Sequence, residues 1–369
     1  MNLTITIMTL TFACFFNLFD YAVACTGITL TSKDGGIIVA RTVEWALSDA
    51  QHNKILVSPR NKSYVGLTPD GSNGFKWIGK YGFVSLTAYN QPYGPDGVNE
   101  EGLYVGVYYL PGFAEYAQYT KKNATKSMSV GDFRKWMLSS YKTVEGVLRN
   151  LDKIKVVSVQ NKDFGGAELP FHFKIADSNG SSKIIEIVEK GTIKTYEPYL
   201  GVITNSPTYD WHILNQQNYL GLSTTPLPSK QMGEYKISPT GGGSGLIGLP
   251  GDFTPPSRFI RAAAFTASVR PLKNSTEAVF ESFRILDNFN IPIGAQIPKD
   301  SIPQGVVSAT QVTTSSDLKE KVFYYHTMWN RQIRKIDLKK INFATVKEQI
   351  IDADKKRTNS IKELAISVK

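Results

Sequence analysis

Apolar positions in the first hundred residues alternate with polar ones over short runs, a pattern that predicts β-strands joined by turns. The predicted strands are residues 25–31, 37–45, 54–57, 83–89 and 103–110. Asp34-Gly35-Gly36 separates the first two strands and is typical of a hairpin turn. Cys25 would therefore begin a strand whose hairpin partner carries Arg41 and Glu44.

Further along the chain, apolar residues recur at helical spacing. Ser129 and Asp132 resemble a capping box. The aromatic and apolar residues that follow at helical spacing predict a helix whose aromatic face packs in the core; they are Phe133, Trp136, Met137 and Tyr141. Other predicted helices are 144–151, 258–269 and 276–289, and further predicted strands are 171–176, 183–188, 201–204, 306–313, 321–327 and 333–338.

The order of these elements bears on the fold class. Strands come first, helices follow and strands close the chain, with hairpins rather than crossover helices between the strands. That order predicts an α+β fold in which antiparallel sheets are covered by helices. We expect one domain over residues 25–343, followed by a charged, loosely held tail over residues 344–369.

The first 24 residues form an apolar leader without Lys or Arg, which ends in Ala22-Val23-Ala24. Such a segment is typical of a secretory signal peptide. Asn17 and Asp20 interrupt the apolar run too early for a membrane span. We therefore expect an exported protein, periplasmic or secreted, whose leader is removed after Ala24 and which has no membrane span.

Removal of the leader would make Cys25 the first residue of the mature chain. The other cysteine, Cys14, would leave with the leader, so we expect no internal disulfide. A leading cysteine carries a thiol and a free α-amine, which are the nucleophile and the base of an N-terminal nucleophile amide hydrolase. Bacterial lipoproteins also begin with such a cysteine, but their leaders usually have Leu where this chain has Ala22.

The charge of the chain is basic, with a formal value of +10 that becomes +11 when the leader takes Asp20 away. A basic balance favours anionic partners, but Lys and Arg are spread along the chain, so we expect a solvated face and tail rather than nucleic-acid binding. The four histidines show no metal-ligand spacing and lie in no recognisable peptidase motif; they are His52, His172, His212 and His326. We expect no metal and no other cofactor, and a papain-like peptidase is disfavoured.

Amide hydrolysis by a leading cysteine needs a base, an activated sulfur and donors for the oxyanion. The α-amine of Cys25, with an ordinary pKa of about 7.7–8.0, can serve as the base. A positive charge beside the sulfur favours the thiolate, and Arg41 is the nearest candidate, with Glu44 placed to orient it or the amine. Asn205 is a candidate oxyanion donor, although Asn before Ser-Pro is also ordinary turn chemistry.

Four ordered segments resemble the choloylglycine hydrolase and penicillin V acylase family over residues 25–338. The first is Cys25-Thr26 followed by Ala40-Arg41-Thr42-Val43-Glu44-Trp45. The three later segments are Asp96-Gly97-Val98-Asn99-Glu100-Glu101-Gly102-Leu103 through Tyr109-Leu110-Pro111-Gly112, Gly201-Val202-Ile203-Thr204-Asn205-Ser206-Pro207, and Gly248-Leu249-Pro250-Gly251-Asp252 with Ser257-Arg258-Phe259.

The resemblance implies a four-layer αββα sandwich of the N-terminal nucleophile hydrolase type and a cysteine amidase acting on small-molecule linear amides. Cys25 would be the nucleophile and Arg41 would lie beside its thiol. The side chain of Asn205 and the backbone N–H of Tyr109 would hold the oxyanion, and Arg258 would complete the charged surround. Family members commonly assemble as homotetramers, so we expect a homo-oligomer.

Two positions affect the expected substrate and site. Glu44 stands where bacterial archetypes of the family have Asp. Tyr109 is similar to penicillin V acylases, since bile-salt hydrolases tend to have Asn there, and it favours acylase-like specificity. An aromatic wall for the acyl group is a second expectation, although packing explains its members equally well; they are Trp45, Tyr108 and Phe113.

Alternatives to the acylase hypothesis stay open at this point. Conjugated bile salts and N-acyl homoserine lactones, like penicillin V, join an apolar acyl group to a small polar head through an amide. The non-enzymatic alternative is an exported lipoprotein with a binding role, in which the amine and the thiol of Cys25 would be blocked.

Overall fold

A computed structural model describes residues 24–46, 53–87, 94–160, 168–296, 308–358, 361 and 363–366. Residues 1–23 of the expected signal peptide lie outside this part of the chain. The strands of the described chain are β1 Gly27–Thr31, β2 Ile37–Ala46, β3 Lys54–Ser58, β4 Ser63–Val65, β5 Lys76–Ile78, β6 Phe83–Thr87, β7 Asp96–Asn99, β8 Tyr104–Tyr109, β9 Ser127–Met128, β10 Lys155–Val156, β11 Phe171–Ala176, β12 Ser182–Val188, β13 Thr192–Tyr196, β14 Lys230–Met232, β15 Tyr235–Ile237, β16 Ser308–Asp317, β17 Val322–Thr327, β18 Arg334–Asp337 and β19 Gln349–Asp352. Its α-helices are α1 Val130–Ser140, α2 Val144–Leu148, α3 Tyr209–Gln216, α4 Pro255–Ala267 and α5 Ser275–Leu286.

Two antiparallel sheets form the centre of the fold. The smaller sheet has the strand order β1-β2-β16-β17-β18, and the larger has the order β13-β12-β11-β8-β7-β6-β3-β19. The predicted hairpin of β1 and β2 pairs Gly27 with Arg41. Its turn includes Gly35 at φ 82°, a left-handed conformation that glycine adopts at little cost. Strand β1 is the edge strand of the smaller sheet, and its outer edge pairs at one bridge with the segment that contains Ile203.

The packing of apolar side chains defines four layers. Between the two sheets, Val39 of β2 belongs to the same apolar cluster as Val84 of β6 and other inward-facing residues. On the outer face of the larger sheet, α1 and α2 cover residues such as Phe173. On the outer face of the smaller sheet, α4 and α5 cover residues such as Ile28 and Ala40. The predicted α+β fold with helix-covered antiparallel sheets is confirmed, and its layers are αββα.

The predicted core helix is also confirmed, and the structure shows the Ser129 half of the predicted capping box. The side chain of Ser129 accepts the backbone N–H of Asp132 at 3.1 Å and begins α1. Phe133, Trp136 and Met137 are at most 2% exposed, so the aromatic face of this helix packs in the core rather than around a ligand.

The prediction of a strand over residues 201–204 is wrong. A 3₁₀ turn, Tyr199–Gly201, precedes a single bridge in which Gly27 and Ile203 exchange two backbone hydrogen bonds, of 2.8 and 3.0 Å. The segment turns away after Ile203 because Thr204 and Asn205 are held by side chains of other elements. Helix α3, which follows, has a weak apolar period and was not predicted.

Part of the expected tail belongs to a sheet. Strand β19 pairs with β3 at the edge of the larger sheet, and Ala353 beyond it is 4% exposed. The division of the chain at residue 343 stays a prediction. Among the helices of the described residues, none has the length and apolar character that crossing a bilayer requires.

Candidate active site

Cys25 lies just before β1, 5% exposed, where the hairpin meets the segment that carries Asn205. Its backbone nitrogen donates to Oδ1 of Asn205 at 2.8 Å. The next residue is paired with β2, because Thr42 N–H donates to Thr26 O at 2.9 Å. The hairpin predicted from the sequence therefore places Cys25 beside the end of β2, and the tertiary fold brings Asn205 to its nitrogen.

The side-chain amide of Asn205 connects three parts of the site. Besides Cys25, its Oδ1 accepts from a guanidinium nitrogen of Arg258 at 2.7 Å, and its Nδ2 donates to the carbonyl oxygen of Tyr109 at 2.9 Å. These partners determine which end of the amide is the oxygen. One of the two Nδ2 hydrogens points to Tyr109, and the second can serve a further acceptor.

Arg258 is 1% exposed and extends from α4 across the end of β1. Its guanidinium donates to Cys25 O, to Thr26 Oγ1 at 3.0 Å and to Asn205 Oδ1. Its Nε donates to Phe253 O at 2.9 Å. Burial lowers the pKa of Arg258 to about 10, so the side chain is still a cation at neutral pH.

Arg41 is fully buried on the side of β2 that faces the larger sheet. Its guanidinium donates to Pro95 O at 2.8 Å and to Val107 O, and it lies 4.1 Å above the ring centroid of Tyr108. Carbonyl oxygens and an aromatic face stabilise a buried cation without a direct carboxylate partner. Arg41 is therefore held rigidly beside the site by the strands of the other sheet.

Glu44 lies three positions after Arg41 on β2, so the two side chains leave opposite faces of the strand. Its Oε1 accepts from Thr310 Oγ1 at 2.8 Å on β16. Glu44 and Arg41 form no hydrogen bond in the described part of the chain, and the expectation that Glu44 orients the α-amine of Cys25 or Arg41 stays a prediction. Burial raises the pKa of Glu44 to about 7, although the positive charges of Arg258 and Arg41 act to lower it.

The electrostatic environment of the Cys25 sulfur is mixed. Burial raises the pKa of the thiol, and the charge of Arg41 is the largest influence in the opposite direction. The Glu44 charge raises the pKa, while Arg258 and the backbone N–H of Glu44 lower it. Since the pKa is raised overall, the buried thiol keeps its proton at neutral pH and needs a base to form the thiolate.

The three residues of the expected aromatic wall lie in different environments. Tyr108 is fully buried beneath Arg41, so it packs in the core and does not line an open wall. Trp45 is partly buried and its ring lies edge-on to that of Tyr109, with 6.5 Å between the ring centroids; the Phe171 ring also lies edge-on to Tyr109, with 6.1 Å between the centroids. Phe113 is 42% exposed. An aromatic row of Trp45, Tyr109 and Phe171 thus lies beside Asn205.

Two buried histidines next to Asn205 were not predicted as part of the site. His212 of α3 lies with Nε2 2.8 Å from Asn205 O, and burial lowers its pKa to about 4, so it is neutral. His172 of β11 lies with Nε2 3.1 Å from Thr204 O. The alternation of β11 is one weak sign in the sequence that His172 has a special role. It puts two polar residues, His172 and Lys174, on the face of the strand away from the apolar Phe173.

A family model described as "Linear amide C-N hydrolases, choloylglycine hydrolase family" matches residues 25–354. The bile salt hydrolase/transferase of Clostridium perfringens is 32% identical over 322 residues, which are 86% of this chain and 93% of that protein. The penicillin V acylase of Pectobacterium atrosepticum is 27% identical over 325 residues, 83% of this chain and 78% of that protein. A mutant conjugated bile acid hydrolase from Clostridium perfringens has a similar structure, with a TM-score of 0.78 at 28% identity over 92% of this chain and 100% of that one.

The αββα sandwich and these similarities define the class of the protein: it is a hydrolase that acts on linear amides, carbon–nitrogen bonds other than peptide bonds. Within that class, the chain belongs to the choloylglycine hydrolase family. The sequence resemblance and the enzyme class that it implied are confirmed.

Proposed function

We propose that Cys25 is the nucleophile of a cysteine amidase and becomes the first residue when the leader is removed. The observation that carries the proposal is the contact of Cys25 N with Asn205 Oδ1 at 2.8 Å, next to the buried cation of Arg258. A free α-amine at the same place would keep this hydrogen bond, which orients the amine towards its own thiol. The proposal includes export of the chain and assembly into a homo-oligomer.

The proposed reaction uses these groups in turn. The neutral α-amine takes the thiol proton, and the thiolate adds to the substrate carbonyl carbon. The second Nδ2 hydrogen of Asn205 and the backbone N–H of Tyr109 would hold the oxyanion. When the tetrahedral intermediate collapses, the C–N bond breaks and the α-ammonium of Cys25 protonates the leaving amine. Water, activated by the same α-amine, cleaves the thioester and releases the acid.

For the substrate, we propose a linear amide between an apolar acyl group and a small polar head, similar to penicillin V. The aromatic row of Trp45, Tyr109 and Phe171 supports this, because aromatic faces suit a phenoxy or other apolar acyl group. Conjugated bile salts are the second candidate, supported by the 32% identity with a bile salt hydrolase/transferase. N-acyl homoserine lactones have the same bond type and complete the panel of test substrates.

The test combines the mass of the N-terminal peptide with the activity of Cys25→Ser. Protein recovered from an exporting host should begin with an unmodified Cys25 and hydrolyse at least one of the three amides. Cys25→Ser should lose at least about a hundredfold in kcat while its circular dichroism is unchanged. A lipidated or acylated Cys25 would favour the binding lipoprotein instead. Full activity of Cys25→Ser would exclude this cysteine as the nucleophile.

A further inference from the structure

We propose that the buried pair of His172 and Glu186 is a positioning device for Asn205, which it holds in place by bracketing the loop that carries this residue. Both members of the pair are 0% exposed. The inference rests on the proposed function, because it concerns the oxyanion donor of that reaction. Among the described residues, no hydrogen bond joins either residue to Cys25, so we expect any effect on catalysis to act through the loop.

His172 is hydrogen-bonded at both ring nitrogens. Nδ1 lies 3.0 Å from Glu186 Oε1, and Nε2 lies 3.1 Å from the carbonyl oxygen of Thr204. The carbonyl oxygen of Thr204 can only accept, so Nε2 donates to it, and Nδ1 shares a hydrogen bond with the carboxyl group of Glu186. Hydrogen bonds at both nitrogens that are shielded from water restrain the ring more than exposed ones would.

Glu186 holds the other end of the same loop. Its Oε1 also accepts the backbone N–H of Tyr209 at 2.9 Å, in the first turn of α3. A carboxylate at the N-terminal end of a helix is stabilised by the helix dipole. The pair therefore connects Thr204, immediately before Asn205, to Tyr209, immediately after the loop.

Other contacts hold the Asn205 side chain, and Ser206 Oγ of the loop donates to Pro111 O at 2.8 Å. Thr204 Oγ1 donates to Pro255 O at 3.1 Å, and His212 holds Asn205 O. The carbonyl group of Thr204 lies in the plane of the peptide bond that joins Thr204 to Asn205, so its direction sets the orientation of that plane. A rotation of that plane would move Nδ2 of Asn205, and a displacement of about an ångström in a catalytic donor is enough to lower the rate by about a hundredfold.

Lys174 offers a matched control on the same strand. It lies two positions after His172, is also fully buried, and its ammonium group donates to the carbonyl oxygen of Gly201. The bridge between Gly27 and Ile203 separates Gly201 from Asn205 and fixes the chain between them. Loss of Lys174 should therefore lower the stability of the chain around Gly201 without moving Asn205.

The experiment is a double-mutant cycle with penicillin V or a glycine-conjugated bile salt, whichever the wild type hydrolyses. Asn205→Ala alone should lower kcat by about 10²–10³. His172→Gln should lower kcat by about 10–100-fold and change KM by less than about threefold, since an oxyanion donor acts in the transition state. In the Asn205→Ala background, His172→Gln should have no further effect on kcat. Lys174→Met should leave kcat within about threefold in both backgrounds.

Glu186→Gln is the second variant if His172→Gln does not fold, as judged by circular dichroism; it removes the charge and keeps the size of the side chain. It should show a smaller loss of kcat that again disappears in the Asn205→Ala background. The inference would be overturned if the variant of the pair lowered kcat by the same factor in the wild-type and the Asn205→Ala backgrounds. It would also be overturned if Lys174→Met lowered kcat as much as the variant of the pair, because the pair would then act on stability alone. If Asn205→Ala retained full kcat, the oxyanion role in the proposed function would fail as well.

Discussion

Asn205 Oδ1 lies 2.8 Å from the backbone nitrogen of Cys25, although 180 positions separate the two residues in the chain. The bridge between Gly27 and Ile203 sets this relationship, because it fixes the Asn205 segment along the open edge of β1. Arg258 spans both residues and donates to each. The site thus exists only when a sheet edge, a connecting segment and α4 have come together.

Arg258→Met should impair both stability and catalysis. The change removes the guanidinium donor from Cys25 O and one of the two donors from Asn205 Oδ1, which should cost about 3 kcal/mol in the free energy of unfolding. We also expect kcat to fall by at least about tenfold, since the orientation of the Asn205 amide depends on this donor. Urea unfolding and steady-state kinetics measure the two effects.

Arg261→Met is the matched control on the same helix. Arg261 is also mostly buried and donates to Pro250 O and Asp252 O, away from Cys25. It should lose stability while kcat stays within about threefold of the wild type. Equal losses of kcat in the two variants would contradict a specific role for Arg258.

Gly27→Ala should destabilise the fold and lower activity. A Cβ at this position would lie 2.2 Å from Tyr108 Oη and 2.9 Å from Ile203 Cγ2. Since both neighbours are fully buried, relief requires a shift of the Tyr108 ring beneath Arg41 or of the Ile203 bridge. We expect a loss of about 1–3 kcal/mol in unfolding free energy. Gly221→Ala, with no atom within 4 Å of the new Cβ, should stay within about 0.5 kcal/mol.

Glu44→Gln should stabilise the protein in a pH-dependent way. The folded-state pKa of about 7 lies above the ordinary value of 4.5, so the folded state disfavours the carboxylate relative to the unfolded chain. The cost is absent below pH 4.5, grows as the pH rises to about 7 and is constant above that. Gln keeps an acceptor for Thr310 but carries no charge. The gain in unfolding free energy should therefore rise over this window, to at most about 3 kcal/mol.

The control for this pH dependence is Asp252→Asn. Hydrogen bonds from Ser257 and Thr254 outweigh the effect of burial and lower the pKa of Asp252 to about 2, so its contribution to stability is already complete at pH 5. Denaturation curves at pH 5, 6, 7 and 8 should show a constant difference for Asp252→Asn and a rising one for Glu44→Gln. A constant difference for Glu44→Gln would mean that its pKa is not raised.

Tyr109→Asn should change the substrate preference without abolishing hydrolysis. The backbone of residue 109 can still accept from Asn205, but the ring contacts to Trp45 and Phe171 are lost. We expect the ratio of kcat/KM for penicillin V to that for a conjugated bile salt to fall by about tenfold. Tyr235→Asn, at an exposed position of β15, should leave the ratio unchanged. An unaltered ratio for Tyr109→Asn would remove the reason for preferring an acylase-like substrate.

Local patterns predicted much of the fold. Alternation gave the hairpin of β1 and β2, and the capping of Ser129 gave the start of α1, because both depend on residues close in the chain. The predicted strand over residues 201–204 was wrong, since a four-residue run with Val202 and Ile203 at its centre does not show whether the neighbouring sheet edge forms one bridge with it or a full ladder. The local signals of α3 are weaker still, and Glu186, from a distant strand, accepts the backbone N–H at its first residue.

The sequence by itself determined the family, the enzyme class and the identity of the candidate residues Cys25, Arg41, Asn205 and Arg258, because these rest on residue types and their order. The tertiary structure decided how those residues meet. It placed Arg41 and Glu44 on opposite faces of β2, buried Tyr108 in the core, and brought His172 and Glu186 to the loop of Asn205. Contacts between residues far apart in the chain depend on sheet order and packing, and no local spacing in the sequence encodes them.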